Sequence, residues 1–396
     1  MTTTPHPDRE SYDAVIVGAR VAGAATALLL ARQGRRVLAL DRAAFGSDTP
    51  STHALMKGGV LQLHRWGLLG AVRGAGTPPL RLTKVHYDDS VIEIPMEPED
   101  GVDALYAPRR TVLDPLLATA AREAGAEIRF ETSVTGLARA GDGRVVGVGY
   151  RTRDGRHVEA RAPITIGADG VRSLVARAVA APVTHAGTGA SAVAYAYFEA
   201  GRDDGLLWFF RQGAGAGIIP TNGGALAYVA LPAGRFATDL RPDAEAGFWR
   251  ALRRDAPEAA EALAPRARIS RFHVHAGTAG FHRRSGGPGW ALVGDAAHYK
   301  DPISAHGLTD ALRDAELLAR AIGRGLDEPD GMPAALAAYE AERDRLSRPM
   351  FDIVDRVAAY DWTAAEVRDL LIGQSRTMAE EVEMLRALDA TATRAA

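Results

Sequence analysis

The segment Asp13-Ala-Val-Ile-Val-Gly-Ala-Arg-Val-Ala-Gly23 has the residue types that hold a dinucleotide pyrophosphate: a short apolar run, a glycine turn and the start of a helix. Residues 14–17 read as a buried parallel strand, and Gly18 stops it where the backbone must turn sharply. A helix of small and apolar residues follows over 22–33, Gly34 ends it, and a second strand over 36–40 runs into Asp41. Asp41 stands 23 residues after Gly18, where a carboxylate closing the second strand can accept hydrogen bonds from an adenosine ribose. Arg20 occupies the middle glycine of the usual Gly-x-Gly-x-x-Gly pattern, so this turn alone leaves the nucleotide open.

Two further clusters have chemistry of the same kind. In Gly294-Asp295-Ala-Ala-His298, Pro302 and Gly307, an apolar strand delivers Asp295, a short loop carries Pro302, and Gly307 opens a helix over 308–322. Asp295 can accept a hydrogen bond from a polyol, and the amides near Gly307 present the positive end of a helix dipole to negative charge, such as a reduced flavin ring. A strand-loop-helix with a capping aspartate is the plain alternative. Gly167-Ala-Asp-Gly170, followed by Arg172, Ser173 and Arg177, is the third cluster; Gly170 suits a turn needing positive φ, and Asp169 can accept bonds from amides or cofactor hydroxyls.

Together, and in this order, the three clusters resemble those of the flavoprotein aromatic hydroxylases, the group A monooxygenases related to para-hydroxybenzoate hydroxylase. The resemblance runs from about Tyr12 to about Arg348. It implies a bound FAD, with Gly18, Arg20, Ala22 and Gly23 around the pyrophosphate, Asp41 and Arg42 toward the adenosine, and Gly294 and Asp295 at the ribityl chain. Arg110 would reach the cofactor from a helix start, and Asp169 and Arg177 match a motif tied to FAD and to NAD(P)H, which would dock only transiently. Pro302, His306 and Gly307, with Leu308 behind them, would form the catalytic loop beside the flavin face where oxygen reacts. The implied reaction uses NAD(P)H and molecular oxygen to hydroxylate an aromatic or polyketide-like small molecule through a flavin hydroperoxide.

Some residues stay open. Arg20 can point outward or toward the pyrophosphate, where an arginine is chemically sensible. His306 can polarise a substrate or influence flavin charge, or be an exposed loop histidine. His53 follows the second strand and can contact FAD, even covalently, or be an ordinary loop residue. Trp208, Phe209 and Phe210 are adjacent, so aromatics face both sides of their strand; Trp208 and Phe210, with Ser304, are the substrate-facing candidates. His273 and His275 share a strand face without a third ligand, so no metal is expected. Three rivals carry the same motifs or fold: a geranylgeranyl-reductase-like FAD reductase, a non-enzymatic FAD-binding protein, and a flavin halogenase. Of the halogenase Trp-x-Trp-x-Ile-Pro motif only Ile218-Ile219-Pro220 is present.

The elements that must position these residues form an α/β chain. A Rossmann-like FAD-binding domain (12–80, 106–180 and 285–335) is interleaved with a mainly antiparallel β-sheet substrate domain (81–105 and 181–284), and a helical region (336–396) closes the chain. A hairpin is expected over 81–95, helices over 60–72 and 112–124, a meander over 133–161, and strands over 192–199, 206–211, 225–231 and 269–275. The 396 residues suit two such domains, and 47 basic against 49 acidic residues give no support for a nucleic-acid partner. The absence of cysteine excludes disulfides, thiol catalysis and cysteine-held metals. No apolar run approaches the roughly 20 residues of a membrane span, so a cytoplasmic monomer or homodimer is expected. Residues 1–10 read as a disordered lead-in.

Overall fold

The computed structural model describes residues 8–87, 90–201 and 205–394. Its nucleotide-binding layer is a six-stranded sheet ordered Gly286–Gly287, Trp290–Leu292, Ile164–Gly167, Ala14–Val17, Val37–Leu40, Glu127–Arg129. All neighbours are parallel except the first pair, a hairpin. Parallel strands covered on both faces need side chains that suit two cores, which is why Ala14–Val17 and Val37–Leu40 are continuous apolar runs. Ala14 and Ile16 meet the helices Val21–Arg32, Arg110–Glu123 and Gly307–Asp327, whereas Val15 and Val17 meet a four-stranded meander.

That meander includes Asp8–Ser11, paired in parallel with His157–Arg161. The lead-in reading is therefore corrected for residues 8–10, and residues 1–7 lie outside the described residues. Arg129 anchors the end of this strand through Glu10 at 2.9 Å, and Tyr150 adds a second bond to the same carboxylate at 2.9 Å.

The second layer is a seven-stranded sheet ordered His273–His275, Ser191–Phe198, Gly224–Pro232, Ala214–Thr221, Leu206–Arg211, Leu82–Tyr87, Ser90–Pro95. It is antiparallel except where Leu82–Tyr87 meets Leu206–Arg211, the seam joining the two sequence segments of this domain. The strand Ala214–Thr221 escaped the sequence reading because its small residues resemble a turn. Bulk is excluded there: a Cβ on Gly215 would lie 2.9 Å from Ile303 Cδ1, and one on Gly217 would lie 2.6 Å from Tyr228.

The last expected strand shrinks to His273–His275, and the helices Ala244–Asp255 and Pro257–Leu263, also unforeseen, cover the sheet's outer face. The tip of the expected hairpin, residues 88–89, lies outside the described residues. The helix read over 60–72 is two, Lys57–Arg65 and Leu69–Gly74, separated at Gly67 with φ of +77°.

Helices Met332–Val357 and Ala364–Arg394 pack onto the core. Tyr339 donates to the Leu292 carbonyl at 3.0 Å, and Val382 and Leu385 are buried.

Candidate active site

Three strand ends meet at one point. Gly167 lies opposite Val17 on one side and Leu292 on the other, so the turns that follow all emerge at the carboxyl edge of the sheet. The contacts leave no room for larger residues. A Cβ on Gly18, whose φ is +98°, would stand 2.4 Å from the Ala168 carbonyl oxygen; one on Gly23 would stand 1.9 Å from that of Gly18; one on Gly294 would stand 2.9 Å from Ala22 Cβ. The Ala168 amide donates to Val17 at 2.8 Å and that of Val293 to Gly167 at 3.0 Å. The three motifs thus interlock through their smallest residues.

This cradle suits a dinucleotide. No side chain caps the helix Val21–Arg32, so its first amides are free for phosphate oxygens. Asp41 is buried and accepts from the amides of Ala19 and Ala43, both at 2.8 Å, which fixes the turn. Arg20 turns away from the turn backbone: its guanidinium bonds Asp114 at 2.9 Å and the Ser47 carbonyl at 3.2 Å. Arg110 grips the same Asp114 at 2.7 and 3.0 Å, so two arginines share one carboxylate beside the phosphate-binding turn. Arg42 is exposed.

Asp295 is solvent-exposed although protein packs densely around it, so its carboxyl is accessible to a ligand. That packing pushes its pKa above the usual carboxylate value, with His298 and Arg110 pulling the other way. Asp169 caps the short helix Leu174–Ala178 by accepting from the Leu174 amide at 2.6 Å, and its other oxygen is buried without a partner. Gly307 is exposed with open space where a side chain would go, and no side chain caps the helix it begins. Leu308 and Pro302 are half-buried beside it.

The loop ahead of Gly307 is clamped from two sides. Asp301, unnoticed in the sequence, accepts from the Ile303 amide at 2.9 Å, the Ser191 amide at 2.6 Å and the Ser191 hydroxyl at 2.7 Å; Tyr360 bonds Ser191 at 2.7 Å. Ser304 donates to the Asp301 carbonyl at 3.1 Å, and Ala305 is held in the left-handed region at φ of +49°.

His306 is not an exposed loop histidine. It is buried and bonds Glu381 of the last helix at 2.8 Å. Around it Arg313 bonds Asp310 at 2.9 Å, Asp314 at 2.7 Å and Glu381 at 3.0 Å, Lys300 bonds Asp310, and His298 lies 3.2 Å from Asp314. The ligand atoms of His306, Asp310 and Glu381 lie within 4.8 Å of one another, but Arg313 already supplies the cation between the two acids. No local sequence pattern announces Glu381, 75 residues after His306.

One face of the seven-stranded sheet presents Tyr195, Tyr197, Trp208, Phe210 and Tyr228, packed with Ile303 and Ala305 of the loop. Phe209 points to the other face and stacks on His86 at 4.3 Å, as alternation requires. Phe210 is covered by Tyr87 and Trp362, at 6.3 and 6.5 Å, and Trp208 leans on Tyr228 at 6.0 Å. His273 stacks on Tyr195 at 4.9 Å. His53, fully buried at φ of +64°, joins this wall by bonding the Tyr197 hydroxyl. Burial, then Arg110 and Arg109, push its pKa down to about 3.

A parallel sheet with three interlocked strand-end motifs, a phosphate cradle and an accessible carboxyl defines an FAD-dependent oxidoreductase. The chain belongs to the family of the FAD binding domain, whose model matches residues 11–354. It is 29% identical over 363 residues to a menaquinone reductase of Mycolicibacterium smegmatis, covering 85% of this chain and 83% of that protein. The flavin-dependent brominase Bmp2 has the same fold, with a TM-score of 0.78 at 20% identity over 96% of this chain and all of that one. Pseudomonas aeruginosa PqsL, solved with 2-aminobenzoylacetate, superposes with a TM-score of 0.75 at 24% identity over 91% of this chain and all of that one. Among the described residues, no helix is long and apolar enough to cross a membrane.

Proposed function

We propose that this protein is an NAD(P)H-dependent monooxygenase of the aromatic-hydroxylase type, acting on a planar small molecule. The observation that supports the reading is the packing of an aromatic sheet face against the loop Pro302–Gly307. The chemistry a bound FAD would supply is electron transfer between the nicotinamide and oxygen. The chain's own work is to hold and shield. The turn from Gly18 to Gly23 takes the pyrophosphate, with Arg20 and Arg110 held beside it by Asp114; Asp41 serves the adenosine end; and Asp295 takes the ribityl hydroxyls. The free amides at Gly307 oppose negative charge on the reduced ring, and the clamp of Asp301, Ser191 and Tyr360 keeps them aimed. Trp208, Tyr228 and Tyr197 exclude water from the substrate side.

Similarity to the menaquinone reductase favours a second reading, an FAD reductase. Halogenation is disfavoured because the paired tryptophans of the halogenase motif are absent; Gly215 and Gly217 stand in their places. The test is to supply purified holoenzyme with NADPH and a panel of phenols in 18O2. One 18O atom in the product, with oxygen uptake matching NADPH loss, is the expected result; product formed without oxygen overturns the proposal in favour of the reductase.

A further inference from the structure

Arg109 and Arg110 are neighbours with opposite fates. Arg110 has its guanidinium filled by Asp114, whereas no carboxylate among the described residues pairs with Arg109. Arg109 lies flat on the Tyr197 ring, 3.9 Å from its centre, and its Nε is buried without a hydrogen-bond partner. A ring face balances part of the charge but accepts none of the five N–H groups. Leaving the Nε donor away from water without an acceptor costs about 1–3 kcal/mol, although the half-buried Arg109 keeps some accessible surface.

The position of Arg109 is fixed from both domains. Its amide donates to Asn222 Oδ1 at 3.0 Å, in the hairpin turn of the seven-stranded sheet, and it stands at the start of the helix Arg110–Glu123 in the FAD-binding layer. A second unmatched polar group lies beside it. His53 is fully buried, its Nε2 is occupied by the Tyr197 hydroxyl, and its Nδ1 has no partner. The negative charge felt by Tyr195 and Tyr197 comes from Asp48, which is exposed and accepts from the Thr49 amide at 2.8 Å.

Resting on the reading of this sheet face as the substrate side, we propose that Arg109, with His53 and Tyr197, is the specificity site for an anionic group on the substrate. The substrate is then a planar aromatic bearing a carboxylate or an ionised hydroxyl. The guanidinium edge takes the anion in a charge-assisted fork, His53 Nδ1 adds one further bond, and Tyr197 keeps both groups in place. Arg109 thereby selects and orients the substrate, and takes no part in bond making.

The test is a binding titration of oxidised holoenzyme, anaerobic and without nicotinamide, read by the flavin absorbance shift. The probes are benzoate and its neutral isostere benzamide. Wild type is expected to bind benzoate at least about tenfold more tightly than benzamide, and Arg109→Leu to abolish that preference with flavin content unchanged; Arg109→Lys keeps part of it. Equal binding of the two probes, no benzoate shift, or an Arg109→Leu variant with unchanged benzoate affinity overturns the assignment. Since no oxygen is consumed, this site can pass or fail independently of the monooxygenase chemistry.

Discussion

Two charged clusters near the carboxyl edge of the parallel sheet are built in opposite ways. Around Arg313 every formal charge meets a partner: Lys300 and Arg313 face Asp310, Asp314 and Glu381, and His298 and His306 complete the set from within. Around Arg109, by contrast, no carboxylate among the described residues pairs with the guanidinium, and Arg109 Nε and His53 Nδ1 have no hydrogen-bond partner. The first cluster draws on the segment at 298–300, the helix Gly307–Asp327 and the last helix, and ties the loop 302–307 to the C-terminal region. The second sits at the junction of the two domains with donors to spare. Matched buried charge holds architecture; unmatched charge beside a ligand site selects what enters.

The largest effect expected from breaking this contrast is Arg313→Leu. Removing the shared partner of three buried carboxylates should cost about 3–5 kcal/mol, or prevent folding, as measured by thermal denaturation. Next is the cofactor cradle. Asp295→Ala removes the accessible acceptor and should weaken FAD binding by about 10- to 100-fold in a fluorescence titration of apoprotein, with stability nearly unchanged.

These two sites were unequally legible in sequence. Gly18, Gly23, Asp169 and Asp295 announce themselves because a tight turn or close backbone approach admits few residues, and the same necessity fixes their spacing. Glu381 carries no such mark, since its partnership with His306 exists only once three elements pack together. Arg109 and Arg110 are adjacent and identical in type, so only the fold separates the paired one from the free one. The same holds for Ala214–Thr221, whose small residues make sense only beside Ile303 and Tyr228. The parallel sheet, the mainly antiparallel sheet and the C-terminal helices were readable from apolar periodicity and glycine stops; the helices Ala244–Asp255 and Pro257–Leu263 were missed inside a block dominated by strand signals.

A smaller effect is pH-dependent. The folded protein holds His53 near a pKa of about 3, against 6.5 for the free side chain, so the unfolded chain binds the extra proton between those values. Stability from this group is complete above pH 6.5 and is lost as pH falls; between pH 6.5 and 5 the loss is about 2 kcal/mol. Chemical denaturation across that range should show this slope in wild type and a shallower one in His53→Asn. Arg109→Leu should give the smallest stability change, about 0.5–1 kcal/mol for its ring contact.

The most direct test of matched against unmatched charge is the thermal midpoint of Arg313→Leu and Arg109→Leu holoenzymes measured side by side. The account predicts a fall of about 4–6 °C or outright misfolding for Arg313→Leu, and no more than about 2 °C for Arg109→Leu. An Arg109→Leu enzyme destabilised as much as its counterpart would make Arg109 part of the scaffold and contradict its role in selecting the ligand.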